Sequence, residues 1–160
     1  MDIAKRMHLA ELIVRATRGV CTTMLELDLS AGEPYENPKP LAQAEVTALI
    51  GLAGDQQGFV AVHCTHVQAQ DFTARLLGLT REDVDEVDAI LDAVGEFINM
   101  VAGNIKTEFA PHGTLQISLP TVVMTPKSEV RVKAGASVIV ELTGALGAFR
   151  VELMLTDPGR

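Results

Sequence analysis

A long apolar repeat between Val84 and Ile105 constrains the fold of this chain more than any other feature. At about 100° per residue, its apolar side chains fall on one stripe and widen it to most of a helix circumference. These side chains are Val84, Val87, Ile90, Leu91, Ala93, Val94, Phe97, Ile98, Met100, Val101 and Ile105. Because so wide an apolar arc has to leave water, the sequence predicts a long and largely buried helix here.

One polar ribbon remains outside that apolar arc. It carries acids, an amide, two glycines and a lysine: Asp85, Asp88, Asp92, Gly95, Glu96, Asn99, Gly103 and Lys106. Acids one turn apart repel by about 0.2–0.5 kcal/mol per pair, and a helical glycine costs about 0.5–1 kcal/mol relative to alanine. We therefore expect the ribbon to meet another molecule, with the glycines allowing close approach of a partner backbone.

Two simpler explanations of the ribbon stay open at this point. Glu96 and Asn99 are three residues apart and would also suit the solvated face of an ordinary helix. Gly95 and Gly103 would equally suit tight packing against a neighbouring helix of the same protein.

The remaining pattern predicts an α+β domain in which long helices pack on an antiparallel sheet. We expect an amphipathic helix over 1–20, a strand over 25–29 from its alternating leucines, and an irregular loop from Ser30 to Pro40. Thr80 and Asp83 resemble a capping box that opens the long helix, and Pro111 and Gly113 close it. The other predicted elements are strands over 46–53 and 59–65, a helix over 67–77 ending near Gly78, and strands over 114–119, 129–133, 137–143 and 148–155.

Composition limits the classes of partner. The 160 residues are expected to form a single domain over 1–160, and the formal net charge of −8 gives no attraction to nucleic acid or to an anionic membrane. No apolar run approaches the roughly 20 residues that cross a bilayer, so no membrane insertion is expected. Two isolated cysteines, Cys21 and Cys64, and the lack of a signal peptide indicate reduced thiols in the cytoplasm.

Two short segments invite phosphate or metal hypotheses that their patterns do not support. The segment Gly54–Gly58 lacks a following Gly-Lys-Ser/Thr and is predicted to be a hairpin turn. In a strand, His63 points away from Cys64 and His66, and no second cluster completes a metal site. We therefore expect no metal and no cofactor bound by this chain. Asn104 falls on the apolar side of the helix and is predicted to be a structural hydrogen-bonding residue.

The polar ribbon also carries a family resemblance. The spacing Asp92-x-x-x-Glu96-x-x-Asn99, followed by Gly103-Asn104-x-Lys106 and later by Pro120, resembles the signature of the CheC/CheX/FliY family of chemotaxis phosphatases. The match is strongest over residues 92–120 and is most similar to the CheX branch. Some members of this family carry the motif on two helices, but the first helix here reads Glu11-Leu12-Ile13-Val14, with valine in place of asparagine. One site per chain is therefore expected.

The resemblance implies hydrolysis of the phospho-aspartate on a phosphorylated CheY-like response regulator. By that resemblance, Asn99 would position the attacking water and Glu96 would engage the lysine beside the regulator's phosphorylation site. Asp92, Gly95 and Gly103 would contact the partner, and the Mg²⁺ ion would belong to the partner receiver domain.

The resemblance also implies a CheX/CheC-like fold and a homodimer that pairs through its sheet. Apolar residues on both faces of the predicted strand over 137–143 suggest an uncapped edge there. Two alternative functions remain: a non-catalytic adaptor that binds a receiver domain through the same ribbon, and a small-molecule site, for which the sequence offers no convergent polar set.

Overall fold

The computed structural model describes residues 1–38, 44–128 and 135–158. Within this part of the chain, three α-helices and eight strands follow one another: α1 (Ile3–Leu25), β1 (Ser30–Ala31), β2 (Tyr35–Asn37), β3 (Ala44–Gly54), β4 (Gln57–Cys64), α2 (His66–Leu77), α3 (Val87–Phe109), β5 (Leu115–Ile117), β6 (Thr121–Ser128), β7 (Ser137–Gly144) and β8 (Gly147–Thr156). Short 3₁₀ turns occupy Arg81–Asp83 and Ala110–His112.

All the strands belong to one antiparallel sheet. The order of neighbours is β1, β7, β8, β4, β3 and β5, while β2 also pairs with β7 and β6 also pairs with β3. The α+β class with helices packed on an antiparallel sheet is thus confirmed, as are the hairpin around Gly54–Gly58 and the end of α2 at Gly78, which has a φ of 68°. The predicted strand over 129–133 lies outside the described residues.

The chain builds one arrangement twice. A helix is followed by two strands and then by a hairpin, first as α1, β1, β2, β3 and β4, and again as α3, β5, β6, β7 and β8. In each half, the two strands after the helix pair with the hairpin of the other half, and the hairpins join where β4 pairs with β8. The two long helices therefore lie towards opposite ends of the sheet in equivalent settings.

A single core cluster joins the helices to one face of the sheet. At its centre the rings of Phe72 and Phe97 stack with centroids 5.1 Å apart, and Phe149 meets Phe72 edge-on at 5.3 Å. Burying such a ring contributes about 1.5–3 kcal/mol as an upper estimate. Asn104 Nδ2 donates to the Ala16 carbonyl oxygen (3.1 Å), which ties α3 to α1 and confirms its predicted structural role.

The predicted strand over 25–29 is wrong. Helix α1 continues to Leu25, and Glu26 then takes a left-handed conformation with φ of 51° that ends the helix. Leu25 and Leu27 are both buried, one at each side of this turn, so their spacing reflects a reversal rather than a strand. The expected irregular loop from Ser30 to Pro40 also contains two short strands, β1 and β2.

The predicted opening of the long helix at Thr80 is also wrong. Thr80 Oγ1 donates to Asp83 Oδ2 (2.7 Å), but its side chain caps no backbone N–H, and only a 3₁₀ turn follows. Arg81 binds Asp71 of α2 through both Nε (2.6 Å) and Nη2 (2.8 Å), which holds this turn against the preceding helix. Helix α3 begins at Val87, so Asp85 precedes the helix instead of lying on its ribbon.

The edge predicted at 137–143 is not uncapped. Strand β7 pairs with β8 on one side and with β1 and β2 on the other. Its apolar residues Val138, Ile139, Val140 and Leu142 are all buried. No helix in the described ranges is long and apolar enough to span a membrane.

Candidate functional site

Helix α3 fixes where the acid and the amide of the motif point. Phe97 and Ile98, which lie between them in sequence, are fully buried against the core. Because successive helical residues are rotated by about 100°, burial of this pair turns Glu96 and Asn99 towards the outside. Glu96 and Asp92 are exposed, and Asn99 is half-buried.

The three polar residues line one cleft of about 570 Å³ beside α3, here called the α3 cleft. Its lining combines the helix with the loop between β5 and β6 and the start of β6: Leu91, Asp92, Gly95, Glu96, Asn99, Leu119, Pro120 and Val122. The structure thus brings together all the predicted site residues except Gly103, which lies farther along the same helix.

Neither Glu96 nor Asn99 is engaged by another residue in the described part of the chain. Their side chains make no hydrogen bond or ion pair with any described residue, and the same holds for Asp92. An unpaired carboxylate beside an unpaired amide leaves one group that attracts a cation and another that both donates and accepts hydrogen bonds. The pair is therefore free to contact an incoming molecule.

The exposed side of α3 carries two parallel rows. Asp88, Asp92 and Glu96 lie at i, i+4 and i+8 and form an acidic row. Leu91 and Asn99 belong to the neighbouring row, which faces the loop between β5 and β6. The acidic row favours a cationic partner group, and Asn99 lies between that row and the loop.

The two glycines of the ribbon have different surroundings. Gly95 is buried, and a Cβ built on it would lie 3.6 Å from Pro120 Cγ and 3.7 Å from Val122 Cγ2. Gly95 thus packs against its own chain, on a loop and strand rather than on a helix, and it is not part of the exposed ribbon. A Cβ on Gly103 would meet nothing within 4 Å, so this position is open to a partner.

The loop opposite α3 is a part of the site that sequence reasoning missed, apart from Pro120. Ser118 N donates to the Gly51 carbonyl oxygen (3.0 Å), and Gly51 N donates to Ser118 Oγ (2.9 Å). This pair of bonds anchors the loop to β3. Strand β6, which was not predicted, leads away from it. No periodicity marks the loop, because its place is decided by pairing with β3.

A second and larger cleft of about 710 Å³ lies beside α1, here called the α1 cleft. It is lined by Met7, Ala10, Glu11 and Val14, which have the same spacing as Asp92, Gly95, Glu96 and Asn99. Glu11 Oε1 is 2.6 Å from Arg15 Nη2, so the acid here is already paired. On its helix face, the larger cleft therefore has no amide, and its one acid is already paired.

The histidine and cysteine segment is structural. His63 is buried, and both ring nitrogens have hydrogen-bond partners: Nδ1 is 3.1 Å from Thr47 Oγ1 and Nε2 is 2.8 Å from Glu152 Oε2. Burial raises the pKa of the Cys21 and Cys64 thiols to about 12, so both stay protonated at neutral pH and are poor nucleophiles. In the described ranges no three His, Cys, Asp or Glu side chains gather as a metal site would require.

Comparison with known families gives one match over most of the chain. The model of the chemotaxis phosphatase CheX family matches residues 46–143, which include α3, the acid–amide pair and the loop that faces them. Among curated proteins, no sequence gives a significant match.

Solved structures with the same fold include several chemotaxis proteins. A CheX from Desulfovibrio desulfuricans has a TM-score of 0.84 and 27% identity, and the alignment covers 93% of this chain and 99% of the other. A putative chemotaxis protein from Desulfovibrio vulgaris Hildenborough has a TM-score of 0.83 and 27% identity, covering 93% and 97% of the two chains. A CheX from Borrelia burgdorferi, solved in complex with CheY, BeF₃ and Mg²⁺, shares the fold at a TM-score of 0.78 and 19% identity, covering 93% and 98%.

Proposed function

The chain belongs to the CheX family of chemotaxis phosphatases, and from this we propose that it hydrolyses the phospho-aspartate of a CheY-like response regulator. The observation that carries the proposal is that Glu96 and Asn99, one turn apart in the α3 cleft, have no partner among the described residues. The neighbour from Borrelia burgdorferi, which was solved together with CheY, supports the choice of partner.

Asn99 is proposed to position the attacking water. The amide oxygen accepts a hydrogen bond from the water, which aims a lone pair of the water at phosphorus, while the amide N–H₂ is left to donate to a phosphoryl oxygen. A bond forms between the water oxygen and phosphorus, and the bond between phosphorus and the aspartyl oxygen breaks. Its electrons leave with the aspartate carboxylate, and the water proton ends on phosphate or in solvent. Because an amide is a very weak base, it contributes positioning and not proton abstraction.

Glu96 is proposed to dock on the lysine beside the regulator's phosphorylation site. A carboxylate and an ammonium form a charge-assisted hydrogen bond, which fixes the register of the two proteins. Phosphoryl transfer is accelerated mainly by positioning and by charge around the phosphoryl oxygens. The regulator brings its own Mg²⁺ and lysine, so this chain needs to add little beyond an oriented water.

The remaining assignments are part of the same proposal. Asp92 extends the acidic row and contacts the partner, Gly103 offers open backbone, and Gly95 lines the floor of the α3 cleft. The chain would act in the cytoplasm as one domain and as a homodimer. Since β1 and β2 pair with β7 in this chain, β7 itself does not offer a free edge to the second copy.

Release of phosphate from a phosphorylated regulator tests the proposal. We expect the wild-type protein to accelerate release from its cognate CheY-like regulator and Asn99→Ala to abolish the acceleration, with an unchanged circular dichroism spectrum and melting temperature. Binding without acceleration by wild-type protein would instead support the non-catalytic adaptor. A fully active Asn99→Ala variant would overturn the proposed role of the amide.

A further inference from the structure

The side chain of Leu119 projects into solvent beside the α3 cleft. Its side chain is 87% exposed, the highest value for any large hydrophobic residue in the described part of the chain. A single exposed leucine is not unusual on a protein surface. Leu119 differs because it lines the α3 cleft together with Glu96 and Asn99.

The loop that carries Leu119 is braced on both sides. Ser118 makes two hydrogen bonds with Gly51 of β3, at 3.0 and 2.9 Å, immediately before it. Pro120, immediately after it, has a fixed φ and packs over Gly95. Leu119 is therefore held outward by its neighbours, and a partner that contacts it does not have to order the loop first. Such preorganisation lowers the entropic cost of binding.

The α3 cleft has two chemically different walls. Asp92 and Glu96 of the acidic row line its helix side, and Leu119 and Pro120 form an apolar wall on the opposite side. Asn99 lies between them. A partner that fills this cleft has to offer a cation to one wall and apolar surface to the other, on either side of the group that meets Asn99.

We infer that Leu119 is a docking residue for the phosphorylated regulator, packing on an apolar patch of the receiver domain beside its acyl phosphate. The inference rests on the proposed function, since it takes the occupant of the cleft to be that regulator. The contact removes the leucine side chain from water and is equally present before and during hydrolysis. Interactions of this uniform kind change the half-saturating concentration of a substrate and leave the maximal rate unchanged.

The experiment compares three substitutions of Leu119 with a control leucine elsewhere. Dephosphorylation of the cognate CheY-like regulator, phosphorylated with acetyl phosphate, is followed over a range of regulator concentrations. We expect Leu119→Ala to raise the half-saturating concentration roughly ten-fold (about 1.4 kcal/mol) at an unchanged maximal rate, and Leu119→Asp to raise it further. Leu119→Met should stay within about three-fold of wild type because it keeps the apolar volume. Leu77→Ala, at a leucine that is 56% exposed on α2, should have no effect.

Two kinetic results would overturn the inference. One is a half-saturating concentration that Leu119→Ala and Leu119→Asp leave within two-fold of wild type. The other is a lower maximal rate with unchanged half-saturation, which would make Leu119 a residue that positions the reacting groups. Melting temperatures of all variants show whether any loss reflects unfolding.

A binding measurement separates this inference from the proposed function. If wild-type protein accelerates no regulator, the phosphatase proposal fails, but titration calorimetry with the beryllofluoride-loaded regulator still tests docking. A dissociation constant about ten-fold weaker for Leu119→Ala supports the docking residue in that case. Equal dissociation constants would overturn it, and no binding of the regulator by wild-type protein would overturn both.

Discussion

The α3 cleft and the α1 cleft lie towards opposite ends of the same sheet and are built in the same way. In each, a long helix faces a segment that pairs with the hairpin of the other half of the chain. Glu11 and Val14 in one cleft have the spacing of Glu96 and Asn99 in the other. Glu11 is paired with Arg15, whereas Glu96 has no described partner. The same scaffold therefore carries two different sets of polar groups, and only the α3 cleft combines an amide with a carboxylate that has no described partner.

Exchanging the residues that distinguish the two clefts should change the rate of phosphate release more than any other substitution considered below. Asn99→Val gives the α3 cleft the valine of the α1 cleft, and we expect the acceleration of phosphate release to fall on the order of 100-fold, because the water loses its positioning group. Adding Val14→Asn to that variant should not restore activity, since Glu11 remains paired with Arg15. Phosphate release at saturating regulator measures both, and recovery in the double variant would show that one amide is sufficient.

Removing the acid from each cleft should have the next largest effect. Glu96→Ala should weaken docking roughly ten-fold and slow hydrolysis as well, because the acid orients the regulator in the ground state and in the transition state. Glu11→Ala, in the α1 cleft, is the matched control and should leave both unchanged. Regulator titrations in the phosphate-release assay give the two constants. Wild-type kinetics for Glu96→Ala would contradict its assigned role.

Asn104 and Asn99, two amides on α3, are expected to differ in what they contribute: Asn104 to stability and Asn99 to activity. Asn104 donates to Ala16 O, so Asn104→Ala should lower the free energy of unfolding by about 1 kcal/mol. Asn99 has no described partner, so Asn99→Ala should not lower the free energy of unfolding, while activity is lost. Urea unfolding of the two variants makes the comparison. An equal loss of stability in both would mean that the Asn99 amide is not free.

Replacing the glycines of α3 by alanine should change stability and regulator binding least. Ala10 of the α1 cleft occupies the position that Gly95 has in the α3 cleft, and a Cβ on Gly95 would only touch Pro120. Gly95→Ala and Gly103→Ala should each raise the free energy of unfolding by up to about 0.5–1 kcal/mol through helix propensity. Half-saturation by regulator should rise about two-fold for Gly103→Ala if a partner backbone approaches there. An unchanged value would remove Gly103 from the partner-binding residues.

The parts of the fold that the sequence predicted correctly are those decided by local physics. The hairpin around Gly54–Gly58, helix α2 ending at Gly78 and the buried face of α3 follow from periodicity and from backbone freedom at glycine. The wrong predictions relied on local sequence patterns that other contacts in the fold overrode. The leucines from Leu25 to Leu29 alternate like a strand, yet Leu25 completes the apolar stripe of α1. Thr80 and Asp83 have capping-box spacing, but Arg81 is held by Asp71, and the helix starts later.

In the candidate site, too, local spacing predicted the residues on α3, whereas the residues that face them depend on tertiary contacts. Asp92, Glu96 and Asn99 were predicted to lie together because helical spacing alone brings them to one side of α3. The wall that faces them could not be predicted, since Ser118, Leu119 and Pro120 reach the helix only because their loop is anchored to β3, more than 60 residues earlier in the chain. The burial of Gly95 was missed for the same reason.

By itself, the sequence determined the α+β class and the buried face of the long helix. It also determined that an acid and an amide lie side by side, one turn apart on that helix, because helix geometry converts spacing directly into proximity. The tertiary structure decided which of two equivalent helix faces keeps a free carboxylate, what wall stands opposite it, and which strand edges are covered. Those outcomes depend on contacts between residues that are distant in the chain, and side-chain periodicity carries no information about such contacts.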